Sequence, residues 1–80
     1  MRCDLFLKNV LLFKKRTEAK EMCNKQLIKL NGKYVKPSKT VMVDDIIEIE
    51  TYKGIQKIKV LKIPDSNVKR SDTESYYEEL

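Results

Sequence analysis

Histidine is absent from the 80 residues, and cysteine and glycine each occur only twice. A structural zinc site usually needs four ligands drawn from cysteine and histidine. The two cysteines, Cys3 and Cys23, are not closely spaced, so the sequence predicts no metal site. It also lacks a nucleophile elbow, a glycine-rich phosphate loop and carboxylates paired for acid–base chemistry. We therefore expect neither an enzyme nor a bound cofactor.

Both cysteines fall at apolar positions of the hydrophobic pattern. A disulfide between them is compatible with the sequence, but the pattern favours two buried free thiols in a cytosolic protein. No apolar run approaches the ~20 residues that a membrane span requires. The first residues lack the apolar region and the small-residue cleavage site of a signal peptide. The expected location is the cytoplasm, without membrane contact.

Charge is unevenly distributed along the chain. Residues 1–40 contain 11 lysines and arginines against 3 acidic residues, which gives a net charge of +8. Residues 41–80 contain 6 against 9, which gives −3. A basic half predicts a surface for a polyanion, and nucleic acid is the commonest such partner. A chain of this length buries only about 60–65% of its unfolded surface, so we expect one small domain without a deep cavity.

The basic half is centred on a predicted helix between residues 14 and 25. Ala19, Met22 and Cys23 recur at the spacing of an apolar helix face. Residues 14–16, Lys-Lys-Arg, stand at its start, where their charges oppose the helix dipole. The free N–H groups of a helix start attract anions, and phosphate in particular. The triplet therefore indicates a phosphate site, with a solvated run of charge as the alternative.

A shorter apolar segment, residues 5–12, precedes this helix and predicts another, with Phe6, Leu7, Val10 and Leu11 facing the core. Strands follow the second helix. Asn31-Gly32 predicts a tight hairpin turn after the first of them, and Pro37 predicts an edge or a loop. The predicted strands are residues 27–30, a return beginning at 34–35, residues 46–49 and residues 55–63.

The last predicted strand changes the phase of its alternation between Val60 and Leu61. Either a β-bulge or partial cover on both faces accounts for such a change. Residues 1–63 then form the folded domain. Residues 64–80 form a polar C-terminal extension, in which Ser71 or Asp72 caps a short helix or the chain frays.

Five parts of the chain form an ordered set of motifs: Arg-Cys-Asp-Leu-Phe-Leu-Lys at 2–8, Leu-Phe-Lys-Lys-Arg-Thr-Glu-Ala-Lys-Glu at 12–21, Asn-Gly at 31–32, Lys-Pro-Ser-Lys at 36–39 and Asp45. In this order they resemble the RNA-binding domain first found in the fourth protein of the small ribosomal subunit. Within that superfamily, the short chain is similar to the RqcP-like proteins of bacterial ribosome-associated quality control. A related family is the ribosome-recycling heat-shock protein.

The resemblance implies an α+β fold in which two short packed helices lie against a small, twisted, mostly antiparallel sheet. It also implies an RNA surface built from the N-terminal arginine, the start of the second helix and the Lys-Pro-Ser loop. Two family glycines are replaced here, by Gln26 at the helix exit and by Asp44, and Cys3 replaces a family leucine. A residue other than glycine held in the left-handed conformation at such an exit costs about 1–2 kcal/mol.

The candidate RNA-binding residues are Arg2, Lys8, Lys14, Lys15, Arg16, Lys20, Lys36, Ser38 and Lys39. Arg16 can bind a phosphate through two hydrogen bonds, or it forms a surface ion pair with Asp4 or Glu18. Ser38 either donates to a phosphate or holds its own loop. Tyr34 either stacks on a base or packs at the sheet edge, and packing is favoured.

The residues predict a monomer that binds structured RNA through backbone contacts. The resemblance implies ribosomal RNA and peptidyl transfer RNA on the large ribosomal subunit, in support of the C-terminal tailing of stalled nascent chains by a partner factor. One alternative is the recycling of large subunits blocked by nascent chains. Another is a protein-docking module, in which the acidic half binds a protein and the basic half only aids solubility.

Overall fold

Two helices and one face of a five-stranded sheet enclose a single apolar core. The structure is a computed structural model that describes all 80 residues. None of its helices has the length and apolar character needed to cross a membrane. In chain order the elements are α1 (Cys3–Asn9), α2 (Arg16–Asn24), β1 (Ile28–Leu30), β2 (Lys33–Tyr34), β3 (Ile46–Thr51), β4 (Gly54–Val60), a 3₁₀ helix (Arg70–Ser75) and β5 (Tyr77–Glu79).

The sheet has the strand order β2-β1-β3-β4-β5, and all its pairs are antiparallel. This confirms the predicted α+β fold. The hairpin between β1 and β2 turns at Asn31 and Gly32, whose φ angles of 51° and 84° are the two positive values of a type I′ turn. The Asn31 side chain also accepts the N–H of Ile46 at 2.9 Å, which ties the turn to β3.

Helical and strand periodicity both place apolar side chains in the core. Phe6, Leu7 and Val10 from the first helical segment are buried, as predicted. The α2 stripe is also confirmed, with two of its residues buried and the third partly buried. The strands alternate as expected of a sheet with one covered face. Their buried residues are Ile28, Leu30, Ile47, Ile49, Ile58 and Val60.

The prediction that Leu11 faces the core is wrong, because α1 ends earlier than its apolar pattern. Leu11 is 40% exposed and has a φ of 66°. Its N–H donates to Lys8 O, and the next N–H, of Leu12, donates to Leu7 O. These two bonds are those of a Schellman motif, in which one left-handed residue ends a helix. Because Leu11 is this left-handed residue, it does not lie on the apolar face of α1 that its spacing in the sequence predicts.

The phase change in the last predicted strand marks the end of the strand and neither a bulge nor a second covered face. The register of β4 with β3 and with β5 is uninterrupted as far as Val60. Leu61 lies outside β4 and is 36% exposed. Residues 64–80 contain the 3₁₀ helix and β5, and the sequence pattern does not predict this strand. Val68 N–H donates to Asn9 O at 2.9 Å, which anchors this extension to α1.

The two cysteines are free and buried, which confirms the favoured interpretation. Cys3 lies on α1 and Cys23 on α2, so the thiols meet between the packed helices. The hydrogen bond with Cys23 and burial both raise the pKa of the Cys3 thiol. The same hydrogen bond lowers the pKa of the Cys23 thiol. The burial of both side chains, 0% and 3% exposed, assigns the pair to the core packing.

Both positions where a family glycine is missing have the left-handed backbone that glycine favours. Gln26 has a φ of 59° and Asp44 a φ of 75°. Gln26 ends α2 as Leu11 ends α1, since Gln26 N–H donates to Cys23 O and Leu27 N–H donates to Met22 O. Both positions therefore keep the left-handed backbone of the family glycines. Because Gln26 and Asp44 have side chains, this conformation is strained in both residues.

Replacing Gln26 by glycine should raise the free energy of unfolding by about 1 kcal/mol, because the strain of the left-handed conformation is relieved. Chemical denaturation measures the change. Lys25→Gly is the matched control, since Lys25 has a φ of −83° and glycine there should destabilise the fold. A loss of stability in Gln26→Gly similar to that in Lys25→Gly would show that the exit carries no relievable strain.

Candidate nucleic-acid interface

The loop of residues 36–39, Lys-Pro-Ser-Lys, caps the start of α1. A helix start leaves its first N–H groups without partners inside the helix. In α1 the N–H of Cys3 donates to Lys39 O at 2.7 Å, and the N–H of Asp4 donates to Pro37 O at 3.2 Å. Pro37 is buried, whereas the other three side chains of the loop are exposed. The loop is thereby fixed against the N-terminus with two lysines and a serine facing solvent.

Asp4 joins the start of α1 to the start of α2. Its side chain is 1% exposed. Arg2 donates to it from Nε to Oδ1 and from Nη2 to Oδ2, each at 3.2 Å. From the first turn of α2, the Nε of Arg16 lies 3.4 Å from Oδ2. One buried carboxylate therefore holds two arginines, from different parts of the chain, side by side at the surface.

Arg16 keeps most of its donors free while it is held by Asp4. Its side chain is 45% exposed, and neither of its Nη nitrogens has a hydrogen-bond partner within the protein. The ion pair with Asp4, one of the alternatives for this residue, is therefore present and uses only Nε. An arginine fixed at Nε can still present its two Nη nitrogens to an external anion.

The start of α2 has no side-chain cap. Lys15 is the N-cap residue, has extended backbone, and makes no capping hydrogen bond. The first N–H bonded within the helix is that of Ala19, which donates to Lys15 O at 3.4 Å. The N–H groups of residues 16–18 have no partner in the protein. These free donors, with the positive end of the helix dipole, favour a bound anion beside Arg16.

Contacts through Asp4 and the start of α1 bring Arg2, Arg16 and the 36–39 loop together. The exposed residues Lys14 and Lys15 directly precede Arg16 in the chain. We call these seven of the nine candidate residues the basic surface: Arg2, Lys14, Lys15, Arg16, Lys36, Ser38 and Lys39. Lys20 is exposed one turn further along α2 than Arg16, at the margin of this surface. Lys8 is separate, because it lies in the last turn of α1 and its Nζ donates to Asn67 of the extension.

Asp4 has a larger role than its place in the sequence indicates. The sequence predicts it as one possible ion-pair partner of Arg16, whereas in the structure its carboxylate contacts both Arg2 and Arg16. The available signal was a carboxylate directly before the apolar run that begins at Leu5. Such a residue can be buried only when a positive partner reaches it.

Replacing Asp4 by asparagine should lower the free energy of unfolding by about 1–2 kcal/mol, because two arginines lose their ionic partner. The amide oxygen can still accept the N–H of Leu5, which donates to Asp4 Oδ1 at 2.8 Å. Asp44→Asn is the control, since Asp44 is 76% exposed and 3.8 Å from Lys59. Equal destabilisation of the two variants in urea would contradict the role assigned to Asp4.

The S4 domain family matches residues 1–47 of the chain. The RQC P-site tRNA stabilizing factor of Helicobacter pylori strain J99 is 46% identical over 77 residues, which cover 95% of this chain and 92% of that protein. The protein of the same name from Streptococcus pneumoniae is 40% identical over 78 residues, which cover 98% of this chain and 88% of that protein.

Two solved structures extend the similarity over the whole chain. Heat Shock Protein 15 of Vibrio cholerae, solved as a trimer, has a TM-score of 0.93 at 26% identity and is covered to 81% of its length. The solution structure of the hypothetical protein HP1423 has a TM-score of 0.87 at 42% identity and is covered to 96%. The matching residues 1–47 include α1, α2 and the loop that caps α1. The chain belongs to the S4 domain family and, within it, to the family of the RQC P-site tRNA stabilizing factors.

Proposed function

We propose that the protein binds RNA on the large ribosomal subunit and steadies the P-site transfer RNA during ribosome-associated quality control in the bacterial cytoplasm. The names of relatives that match nearly the whole chain support this assignment. The observation that carries it is the buried Asp4 carboxylate, which holds the arginines of two elements on one surface. Folding alone gives little reason to gather so much positive charge at a helix start.

In this proposal the protein contacts the phosphates of the RNA backbone. Arg16 contacts a phosphate through its free Nη nitrogens, while the unpaired N–H groups of residues 16–18 face the same anion. The exposed lysines of the 36–39 loop contact neighbouring phosphates, and the serine between them donates a further hydrogen bond. Structured RNA presents phosphates and 2′-hydroxyls in a fixed shape, which such a surface can recognise without reading sequence.

All the candidate residues have a place in this proposal. The basic surface makes the principal contacts, Lys20 extends them along α2, and Lys8 makes a peripheral contact from the far end of α1. Residues 1–63 carry RNA binding, and residues 64–80 serve as the extension. The protein acts as a monomer without catalysis. It holds the ribosomal and peptidyl transfer RNA while a nascent-chain tailing factor extends the stalled chain.

A second candidate function is the recycling of blocked large subunits. The observation that favours it is the similarity to Heat Shock Protein 15 over the whole chain, with a TM-score of 0.93. The two functions share RNA binding and differ in the outcome for the peptidyl transfer RNA. Quality control keeps that RNA in place, whereas recycling removes it.

Sedimentation with purified large subunits tests the proposal. One set of subunits carries peptidyl transfer RNA and the other is vacant. We expect the protein to remain bound to the first set at moderate salt and to leave the second. Equal retention on both would contradict a role for transfer RNA, and binding to neither would contradict the proposal as a whole. With the tailing factor added, longer nascent chains support quality control, and released peptidyl transfer RNA supports recycling.

A further inference from the structure

An open groove of about 550 Å³ lies at the β2 edge of the sheet, next to the loop that caps α1. Its polar lining includes three lysines and a serine, and it contains no acidic residue: Lys33, Lys36, Ser38 and Lys39. Small-ligand sites commonly have volumes of about 300–1,000 Å³. The groove is therefore large enough for a group such as one sugar–phosphate unit, and its charge selects an anionic ligand.

Lys33 is a groove residue that the sequence motifs do not mark for RNA binding. It pairs with Leu30 of β1, whereas its neighbour Tyr34 pairs with Lys29. The side chains of directly opposed residues project from the same face of a sheet. Leu30 is only 5% exposed and also lines the groove, so Lys33 lies on the groove side of the hairpin. Tyr34 and Lys29 lie on the outer face, where Lys29 Nζ is 4.9 Å from the centroid of the Tyr34 ring.

The positive charges of the groove have no partners within the protein. All three lysines are exposed, and none of them forms an ion pair or donates a side-chain hydrogen bond. The ion pairs of the chain involve Asp4 and Asp44, which both lie outside the groove. Because like charges repel, folding alone gives no reason to place three lysines around one groove. A polyanion would supply the missing negative charge.

The groove shares Lys36, Ser38 and Lys39 with the basic surface. Their loop is fixed, because the carbonyls of Pro37 and Lys39 accept N–H groups of α1 and Lys39 N–H donates to Lys36 O at 3.0 Å. Lys33 is fixed from the other side, since β2 pairs with β1. Backbone hydrogen bonds thus hold both sides of the groove in place, as in a preformed binding site.

We propose that Lys33 binds RNA and that the groove holds a phosphate of the bound RNA other than the phosphate that Arg16 contacts. This phosphate lies between Lys33 of β2 and the lysines of the 36–39 loop. Such contacts position an RNA without reading its sequence. The inference rests on the proposed function and extends its RNA contacts from the helix starts to the edge of the sheet.

Titrations with purified large subunits that carry peptidyl transfer RNA test this inference. Lys33→Ala should weaken binding by about three- to tenfold at moderate salt, and the salt slope should be smaller in magnitude by about 1. Lys33→Glu should weaken binding further, because a carboxylate in the groove repels the phosphate. Lys33→Arg should bind nearly as the wild type does, since it keeps the charge that neutralises the phosphate.

Lys29 provides the matched control, because it lies on the same hairpin as Lys33 but on the outer face of the sheet. Lys29→Ala and Lys29→Glu should bind within about twofold of the wild type, since salt screens charges over about 10 Å. Urea denaturation should show that all these variants are folded. Equal weakening by the Lys33 and Lys29 variants would overturn the inference, because the lysines would then act only through the net charge.

Ethylation of RNA phosphates in the subunits before binding identifies the phosphates that the protein requires. The wild-type protein should require at least one phosphate that Arg16→Ala still requires and that Lys33→Ala does not. If Lys33→Ala requires the same phosphates as the wild type, Lys33 contacts none of them and the inference is wrong. If Lys33→Ala and Arg16→Ala lose the same single phosphate, the groove is not a separate site and the inference is also wrong.

Failure of this inference is distinguishable from failure of the proposed function. If Arg16→Ala weakens binding while the Lys33 variants bind as the wild type does, the groove holds no RNA and the proposed function stands. If the wild-type protein does not bind large subunits, the proposed function fails, and this inference fails with it.

Discussion

Replacing Arg16 by alanine should weaken binding to the large ribosomal subunit about ten- to a hundredfold, because a charge-assisted hydrogen bond contributes about 1.5–3 kcal/mol. The neutral N–H groups of the α2 start remain in the variant and account for the residual binding. The free energy of unfolding should fall by less than about 1 kcal/mol, since the Arg16 side chain is half exposed and Asp4 keeps Arg2 as its partner.

Two further variants separate charge, geometry and position. Arg16→Lys should recover only part of the lost affinity, because the charge returns without the two-pronged donor. Arg70→Ala removes an exposed arginine of the 3₁₀ helix, which lies outside the basic surface, and should bind nearly as the wild type does. Titrations of binding and of urea denaturation on the same proteins measure both effects. Intact binding with lost stability in Arg16→Ala would make Arg16 a structural partner of Asp4 only.

A rise in salt concentration should weaken RNA binding more than the Arg16→Ala substitution does. If about five or six phosphates are neutralised, the logarithm of affinity should fall linearly with the logarithm of salt concentration, with a slope of about −4 to −5. Between about 50 and 200 mM salt the affinity then falls by several hundredfold, because each contact releases counterions from the RNA. The physical basis is the +8 charge of residues 1–40, much of it gathered on the basic surface.

The control for the salt experiment is the Arg16→Ala variant. Its slope should be smaller in magnitude by about 1, since it has lost one phosphate contact. A nearly flat response in the wild-type protein would favour the protein-docking alternative, in which the acidic half makes the contacts.

Local sequence signals predicted much of the fold. The Asn31-Gly32 turn was predictable because it needs two residues that tolerate positive φ, and the structure has both. The α2 stripe and the alternation of β3 were predictable because each depends only on the spacing of neighbouring residues. Leu11 was not, because an apolar residue just beyond a helix end has the same spacing as one within the helix. The hydrogen bonds that the N–H groups of Leu11 and Leu12 donate to the last turn of α1 place Leu11 at the helix end.

Contacts between distant residues could not be predicted from sequence. β5 contains two glutamates in three residues and has little strand propensity of its own. It forms because it pairs with β4, which supplies the partners for its backbone. In the same way, the backbone carbonyls of Pro37 and Lys39, which are distant in sequence, cap the start of α1. Every residue has a backbone carbonyl, so the sequence does not indicate which ones will act as caps. The basic residues were found from sequence, while their assembly around Asp4 required the structure.

The most direct test is a density map of the protein bound to a large subunit that carries peptidyl transfer RNA. The account predicts RNA phosphates within hydrogen-bond distance of the Arg16 Nη nitrogens and of the N–H groups that begin α2, with the lysines of the 36–39 loop beside the same backbone. It also predicts that the acidic strand β5 lies away from RNA, since like charges repel. A complex in which the basic surface faces solvent and β5 contacts a ribosomal protein would contradict the account.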